Sequence, residues 1–217
     1  MATAIRLLAA LACLALSAPP AAAQDAMALM QRASRAYRGL GGVSARFEQV
    51  IDDPMVGTFH SKGRLMQAGS RFAMRFTDPA GEAIVVDGRY VWVYAPSTTP
   101  GQVIRTPLSR VPTYGPNVLG WILDRPRERY RAEYLRADVV GGRSTDVIAL
   151  TPVDTTLPFE RATVWLDRAD ALPRQVQIRE RSGAIRTLTL SELDTTPKLP
   201  EEAFVFRVPD DVRVVEQ

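Results

Sequence analysis

The feature that most restricts the fold of this chain is the alternation of apolar and polar residues that begins near residue 43. In residues 71–77, for example, Phe72, Met74 and Phe76 share one face, and a period of two is typical of β-strands. Asp87-Gly88 is a strong two-residue hairpin signal. Consecutive strands joined by short turns predict one antiparallel meander of about eleven strands rather than a fold of βαβ units.

Two segments are predicted to be helical. The first follows Asp25, which is suited to the N-cap position, and ends at the glycines of residues 39–42. The second begins at Pro116, which suits the first helical position, and Pro126 stops it. Near the other end of the chain, residues 204–208 are predicted to form a last short strand.

Two segments carry more apolar surface than a small sheet needs. Residues 90–94 are apolar on both faces of the predicted strand, and residues 118–123 are apolar nearly all round the predicted helix. A long antiparallel sheet curls, and packed side chains, a helical lid or an apolar ligand must fill its concave face. The pattern alone leaves two interpretations open, a core plugged by the helices and an apolar binding site.

The small number of reactive side chains excludes several classes of function. Cys13 is the single cysteine and His60 the single histidine, so a disulfide framework, a cysteine-based zinc site and a paired-histidine metal site are excluded. Asp52 and Asp53 are adjacent and point in different directions, so they are interpreted as part of a turn before Pro54. The 27 Lys and Arg residues nearly balance the 24 Asp and Glu residues, without a basic run that would bind nucleic acid. We expect neither an enzyme nor a metal or cofactor.

The first 23 residues have the order of a secretory signal peptide. Arg6 gives a positively charged start, residues 7–16 form an apolar stretch too short to span a bilayer, and Ala21-Ala22-Ala23 offers a cleavage site. Residues 24–217 would then form the secreted protein. It is expected to be a soluble single domain in an oxidising compartment.

Several short motifs occur in the order found in one known family. They are Phe47-Glu48-Gln49-Val50, Gly63-Arg64-Leu65, Ile84-Val85-Val86-Asp87-Gly88, Val91-Trp92-Val93-Tyr94 and Phe204-Val205-Phe206, with the helical segment 116–123 between the last two. On these motifs, the chain resembles the periplasmic outer-membrane lipoprotein carrier (LolA) family over most of residues 27–214.

The resemblance implies an antiparallel, unclosed β half-barrel with a lid of short helices over an apolar concavity. It implies a monomeric periplasmic carrier that receives lipoprotein acyl chains from an inner-membrane ABC transporter and passes them to an outer-membrane acceptor. The residues expected to contact lipid are Phe47, Phe72, Met74, Trp92, Tyr94, Val118, Leu119 and Ile122. A second hypothesis is a periplasmic adaptor that senses lipid or lipoprotein and binds a protein partner through the same half-barrel.

One position departs from the family pattern. Family members commonly place an arginine, followed by proline, four residues before the phenylalanine of the third strand, and this arginine holds the lid closed. Here the two positions are Ala68 and Gly69. Arg71 and Arg75 are the nearby candidates for a lid contact, although a strand would point both away from the face of Phe72. The resting state of the lid, and whether the cargo is lipoprotein or another lipid, stay open.

Overall fold

Twelve strands form one sheet in the computed structural model, which describes residues 25–110 and 115–217. The predicted signal peptide, residues 1–23, lies outside the described residues. The strands are β1 (Val43–Asp53), β2 (Gly57–Ala68), β3 (Arg71–Asp78), β4 (Ala80–Val86), β5 (Tyr90–Tyr94), β6 (Gln102–Pro107), β7 (Tyr130–Val140), β8 (Arg143–Pro152), β9 (Phe159–Asp167), β10 (Pro173–Glu180), β11 (Ile185–Asp194) and β12 (Arg213–Glu216). Their order across the sheet is β12-β6-β5-β4-β3-β2-β1-β11-β10-β9-β8-β7.

The sheet consists of two antiparallel meanders that meet at β1. The first meander runs from β1 to β6 and the second from β7 to β11, and β1 pairs with β11 from Ser44 opposite Asp194 to Asp52 opposite Ile185. The short strand β12 adds to β6 in parallel. The edge strands of this sheet are β7 and β12, which are not neighbours in the strand order. The predicted unclosed antiparallel half-barrel is therefore confirmed, with twelve described strands instead of about eleven.

Three α-helices accompany the sheet in the described residues: α1 (Ala26–Arg38), α2 (Val118–Leu123) and α3 (Pro126–Arg129). Asp25 caps α1 as predicted, because its Oδ1 accepts hydrogen bonds from the backbone N–H groups of Met27 at 2.9 Å and Ala28 at 3.1 Å. None of the helices in these residues is long and apolar enough to cross a membrane.

The start of α2 differs from the prediction. Pro116 lies outside the helix, and Asn117 is the N-cap, with its Oδ1 accepting a hydrogen bond from the backbone N–H of Gly120 at 3.0 Å. An asparagine that satisfies a free amide of the first turn fixes the helix start more strongly than the preset backbone angle of a proline. Pro126 follows the end of α2 and opens α3 at its first turn.

The helices cover the concave face of the half-barrel. Met30 and Ala33 of α1 are fully buried there, as are Leu119 and Ile122 of α2. The buried sheet residues of the same cluster include Phe47, Leu65, Phe72, Met74, Val91, Val164, Val176 and Leu188, which come from both meanders. The concave core therefore joins the two halves of the sheet to α1 and α2.

A C-terminal segment, residues 199–208, covers the convex face of the first meander. Phe204 is buried against this face, and Phe206 stacks on Trp92 with the ring centroids 5.5 Å apart. Arg75 Nη2 donates hydrogen bonds to the backbone oxygens of Val205 at 2.7 Å and Ala203 at 3.3 Å. The segment is thus held both by apolar packing and by a charged donor.

The prediction of a strand at residues 204–208 is wrong. A 3₁₀ turn, Glu201–Phe204, leads into an extended stretch without a strand partner, and the last strand is β12. The apolar alternation of Phe204 and Phe206 arises because the stretch lies across a sheet face. A period of two identifies extended backbone, but it does not identify the hydrogen-bond partners of that backbone.

We expect Phe204→Ala to lower the free energy of unfolding by about 3–5 kcal/mol, because it removes a fully buried ring. Val205→Ala is the matched control, since Val205 is 46% exposed, and it should change stability by about 0.5 kcal/mol or less. Urea denaturation measures both variants. Equal losses in the two variants would show that the C-terminal segment is not part of the folded core.

Candidate functional site

The helix α2 forms a lid over the concave face, and we use the word lid for its residues Val118–Leu123. Four of its six residues are buried. Leu119 and Ile122 belong to the same apolar cluster as Phe47, Phe72 and Met74 of the sheet, and Val118 packs against this cluster while partly exposed. The structure therefore brings together six of the eight residues that were expected to contact lipid.

The expectation that Trp92 and Tyr94 share this site is wrong. Both lie on the convex face, where their rings are 5.5 and 5.6 Å from that of Phe206. The indole Nε1 of Trp92 also donates a hydrogen bond of 2.8 Å to Asp87 Oδ2. The C-terminal segment covers these rings, so they stabilise the outer side of the wall and do not line its inner side.

The strand register gives the reason for this correction. Phe72 of β3 pairs with Val86 of β4, and Val86 pairs with Val91 of β5. Residues directly opposite each other in a sheet share a face, whereas successive residues alternate. Val91 therefore occupies the concave position, and Trp92 points to the other side.

Two clefts border the lid in the described part of the chain. The first has a volume of about 320 Å³ and separates the lid from β3 to β5, with Phe72, Val86, Val91, Leu108 and Trp121 among its apolar lining residues. The second has a volume of about 230 Å³ and lies toward β9 to β11, lined by Val118, Trp121, Pro158, Phe159, Ile178, Glu180 and Arg186 among others. Trp121 lines both clefts, and its ring is 5.2 Å from that of Phe159. The lid thus fills the centre of the concavity and leaves on either side a cleft with both apolar and polar lining residues, the latter including Asp124 in the first cleft and Arg186 in the second.

A neutral hydrogen-bond group, which we call the tether, fastens the start of the lid. Gln67 Oε1 of β2 accepts hydrogen bonds from the hydroxyl of Tyr37 and from Asn117 Nδ2, the latter at 2.9 Å. Asn117 both caps the lid and links it to the sheet. A Cβ at Gly120 would lie 2.8 Å from Asn117 Nδ2, so the close approach of this side chain favours glycine there.

The lid contact expected for Arg71 and Arg75 does not match where these residues lie. Arg71 forms a salt bridge with Glu201 on the convex side, and its guanidinium carbon is 4.9 Å from the centroid of the Phe204 ring. Arg75 bonds to the backbone of the same C-terminal segment. The alternation of side chains along the strand places both arginines on the face away from the lid. The tether residue Gln67 directly precedes Ala68, the position where the family pattern has an arginine.

The side chains that were considered for catalysis lie in an exposed position on a strand or beside a turn. His60 is exposed on β2. The interpretation of Asp52 and Asp53 as part of a turn is wrong, because both lie at the end of β1 and the turn follows at residues 54–56. Asp53 stabilises that turn, because its Oδ1 accepts hydrogen bonds from the backbone N–H groups of Met55 at 2.8 Å and Val56 at 3.2 Å. Within residues 25–110 and 115–217, no group of three His, Cys, Asp or Glu side chains is arranged to hold a metal ion.

Comparison with known proteins places this geometry in a family. Residues 38–207 match the model of the outer membrane lipoprotein carrier protein LolA family. The chain belongs to this family. A curated relative from Alkalilimnicola ehrlichii, named outer-membrane lipoprotein carrier protein, is 27% identical over 214 residues, which cover 94% of this chain and 91% of the relative.

Solved structures share the fold of this LolA-family chain. An uncharacterized conserved protein from Thermus thermophilus superposes with a TM-score of 0.57 at 15% identity, covering 89% of this chain and all of that one. MucB in the MucA/MucB complex of Pseudomonas aeruginosa has a TM-score of 0.51 at 19% identity, covering 88% of this chain and 63% of that chain. At these identities the likeness concerns the fold alone.

The tether of this LolA-family chain contains a tyrosine with a strongly shifted pKa. Burial raises the pKa of the Tyr37 hydroxyl from 10.0 to about 12, and its hydrogen-bond partners Asn117 and Gln67 offset part of that rise. The phenol therefore stays protonated well above neutral pH and remains a donor to Gln67. Neither Tyr37, Gln67 nor Asn117 was identified from the sequence, although Asn117 before an apolar helical run is an N-cap signal.

We expect the tether to make stability fall at alkaline pH. Because the folded-state pKa of Tyr37 is above the unfolded value, its contribution is complete below pH 10 and is lost as the pH rises through about 12. About 1.4 kcal/mol of it should be gone at pH 11. The stability difference between the wild type and Tyr37→Phe, measured by urea denaturation at pH 8 and pH 11, should shrink by that amount. A difference that is constant over this range would contradict the assignment.

Proposed function

We propose that this protein is a periplasmic carrier that takes the acyl chains of lipoproteins into the space beneath its lid and shuttles them from the inner to the outer membrane. The observation that carries the proposal is the pair of clefts, each partly lined by apolar side chains, on either side of the lid. Membership of the lipoprotein carrier family supports this choice of cargo.

The volumes of the clefts support a lid that moves when cargo enters. The clefts hold about 320 and 230 Å³, whereas pockets for drug-sized ligands span roughly 300–1,000 Å³. A lipid with two or three long acyl chains is larger than such a ligand. The acyl chains must therefore displace the lid side chains Leu119 and Ile122, and they then meet the sheet residues Phe47, Phe72 and Met74.

Loading in this mechanism exchanges one set of apolar contacts for another. Each methylene removed from water contributes about 0.8 kcal/mol, and the acyl chains bury the sheet face that the lid exposes when it lifts. The polar part of the change is the loss of the two hydrogen bonds to Gln67, each worth about 0.5–1.5 kcal/mol net. Binding and release then need no covalent chemistry, which fits a carrier rather than an enzyme.

The proposed route of the cargo leads from the inner membrane to the outer membrane. Residues 1–23 act as the signal peptide that directs the chain to the periplasm, and residues 24–217 act as one carrier domain. An inner-membrane ABC transporter loads the concavity, and an outer-membrane acceptor unloads it. The carrier works as a monomer, because one concavity with its own lid is sufficient for one lipid anchor.

Cargo binding should depend on the concave face and be independent of the convex face. Val91→Phe places a larger side chain in the first cleft and should weaken binding of a fluorescent fatty-acid probe by about tenfold. Tyr94→Ala is the control, since Tyr94 lies on the convex side, and it should leave probe affinity within about twofold. Equal losses would rule out the concave site. A folded wild type that binds no probe would favour the adaptor hypothesis.

Release of the tether should speed exchange of cargo. Gln67→Leu removes the acceptor shared by Tyr37 and Asn117, and we expect probe association and dissociation to become about tenfold faster. Gln49→Leu is the matched control, because Gln49 bonds to Ser61 within the sheet at 3.2 Å. Stopped-flow fluorescence measures the rates. If both variants exchange at the wild-type rate, the tether does not control the lid.

A further inference from the structure

The tip of the β1–β2 hairpin exposes three large apolar side chains. Met55 is 91% exposed, Val56 68% and Phe59 50%. We call residues 54–59 the hairpin tip. Clustered apolar side chains in water mark an interaction surface more often than scattered ones do.

The hairpin tip projects beyond the neighbouring strand β3. On one side, β2 pairs with β3 only from Lys62 onward, so residues 57–61 extend past β3 by roughly 17 Å at 3.4 Å per residue. On the other side, β11 pairs with β1 as far as Asp52, and the β10–β11 turn lies beside the tip, since a Cβ at Gly183 would be 3.4 Å from Pro54 Cγ. The tip therefore extends past β3 and ends level with the β10–β11 turn, with its apolar side chains at the far end.

The turn is built so that its backbone amides are bonded. Asp53 Oδ1 accepts hydrogen bonds from the backbone N–H groups of Met55 and Val56. Gly57 has φ of 97°, a value that favours glycine and closes the three-residue loop. A turn whose amides are already bonded enters an apolar phase at a lower free-energy cost than one with free amides.

The tip is continuous with the second cleft. Phe59 pairs with Ile51 of β1, and Ile51 pairs with Arg186 of β11, which lines that cleft together with Ile178. These residues share the concave face, because directly opposed residues point to the same side of a sheet. An apolar row therefore runs from the tip to the mouth of the cleft, interrupted by Arg186, which pairs with Glu180 at 3.4 Å.

We propose that the hairpin tip inserts into the interfacial region of a phospholipid bilayer and places the mouth of the second cleft at the membrane surface. This inference rests on the proposed function, in which the cargo leaves one bilayer and enters another. A protruding convex tip fits a fluid apolar phase, which needs no matching groove. The charged residues that flank it are of mixed sign (Asp52, Asp53, Glu180, Lys62, Arg181 and Arg186), so the attraction is apolar and does not require anionic lipid.

Flotation of the full chain with phosphatidylcholine vesicles tests the proposal. We expect the wild type to float with the vesicles equally at 20 and 500 mM NaCl, and Met55→Glu/Val56→Glu to lower the vesicle-bound fraction by about tenfold. Val139→Glu is the matched control, because Val139 is 64% exposed but lies near the opposite end of the strands. It should float as the wild type does.

The outcomes separate this inference from the proposed function. The inference would be overturned by a wild type that does not float, or by a tip variant that floats as the wild type does. In that case a protein partner would be the alternative occupant of the tip. Binding of the fatty-acid probe in solution, without vesicles, should be unchanged in Met55→Glu/Val56→Glu. If the wild type does not bind the probe in solution, this result counts against the carrier function. The flotation result would still test membrane insertion of the tip on its own.

Discussion

The pairing of β1 with β11 is the interaction on which the rest of this structure depends. It joins two meanders that are each local in sequence, through partners as distant as Ser44 and Asp194. Without it, the two meanders would not share one concave face, and α1 and α2 would have no common core to cover. Because the sheet stays open at β7 and β12, facing walls do not fill the interior as they do in a small closed barrel, and helices must do so.

The two faces of the first meander are held by different kinds of interaction. On the convex side, Arg71 and Arg75 fix the C-terminal segment through charged donors, and Phe204 fills the core beneath it. On the concave side, the lid is held by apolar contacts and by the neutral tether. Charge-assisted hydrogen bonds are the stronger and more directional class. The outer face of the wall is therefore held in part by charged donors, whereas its inner face contacts the lid through neutral and apolar groups alone.

The sequence pattern was sufficient for the architecture and for most of the inner face, and its failures have physical causes. Alternation and turn residues locate strands well because they are local. Trp92 was assigned to the wrong face of the sheet because its strand is apolar on both faces. The turn between β4 and β5 is sufficient to determine the face. The two-residue turn predicted at Asp87-Gly88 lies one residue later, at Gly88-Arg89, because the Asp87 amide is 3.1 Å from the Tyr90 oxygen. Either position pairs even-numbered with odd-numbered residues, so Trp92 lies on the face opposite to that of Val86. The tether could not be read from the sequence, because Tyr37, Gln67 and Asn117 come from three separate elements whose meeting depends on the tertiary fold.

The neutral character of the tether has a consequence for the balance between the open and closed lid. A guanidinium that locks a lid must be desolvated when the lid closes and is hydrated again when it opens, so charge would dominate that balance. The tether consists of amides and a phenol, so the free energy of exchanging lid contacts for cargo contacts decides the balance between the open and the closed lid. Burial of Leu119 and Ile122 contributes about 1.5–3 kcal/mol each, which about four to eight methylenes of cargo would match at 0.8 kcal/mol each. A single long acyl chain exceeds this, so under the proposed function loading would proceed without an energy source in the carrier, and unloading would require an acceptor that buries the same chain more completely.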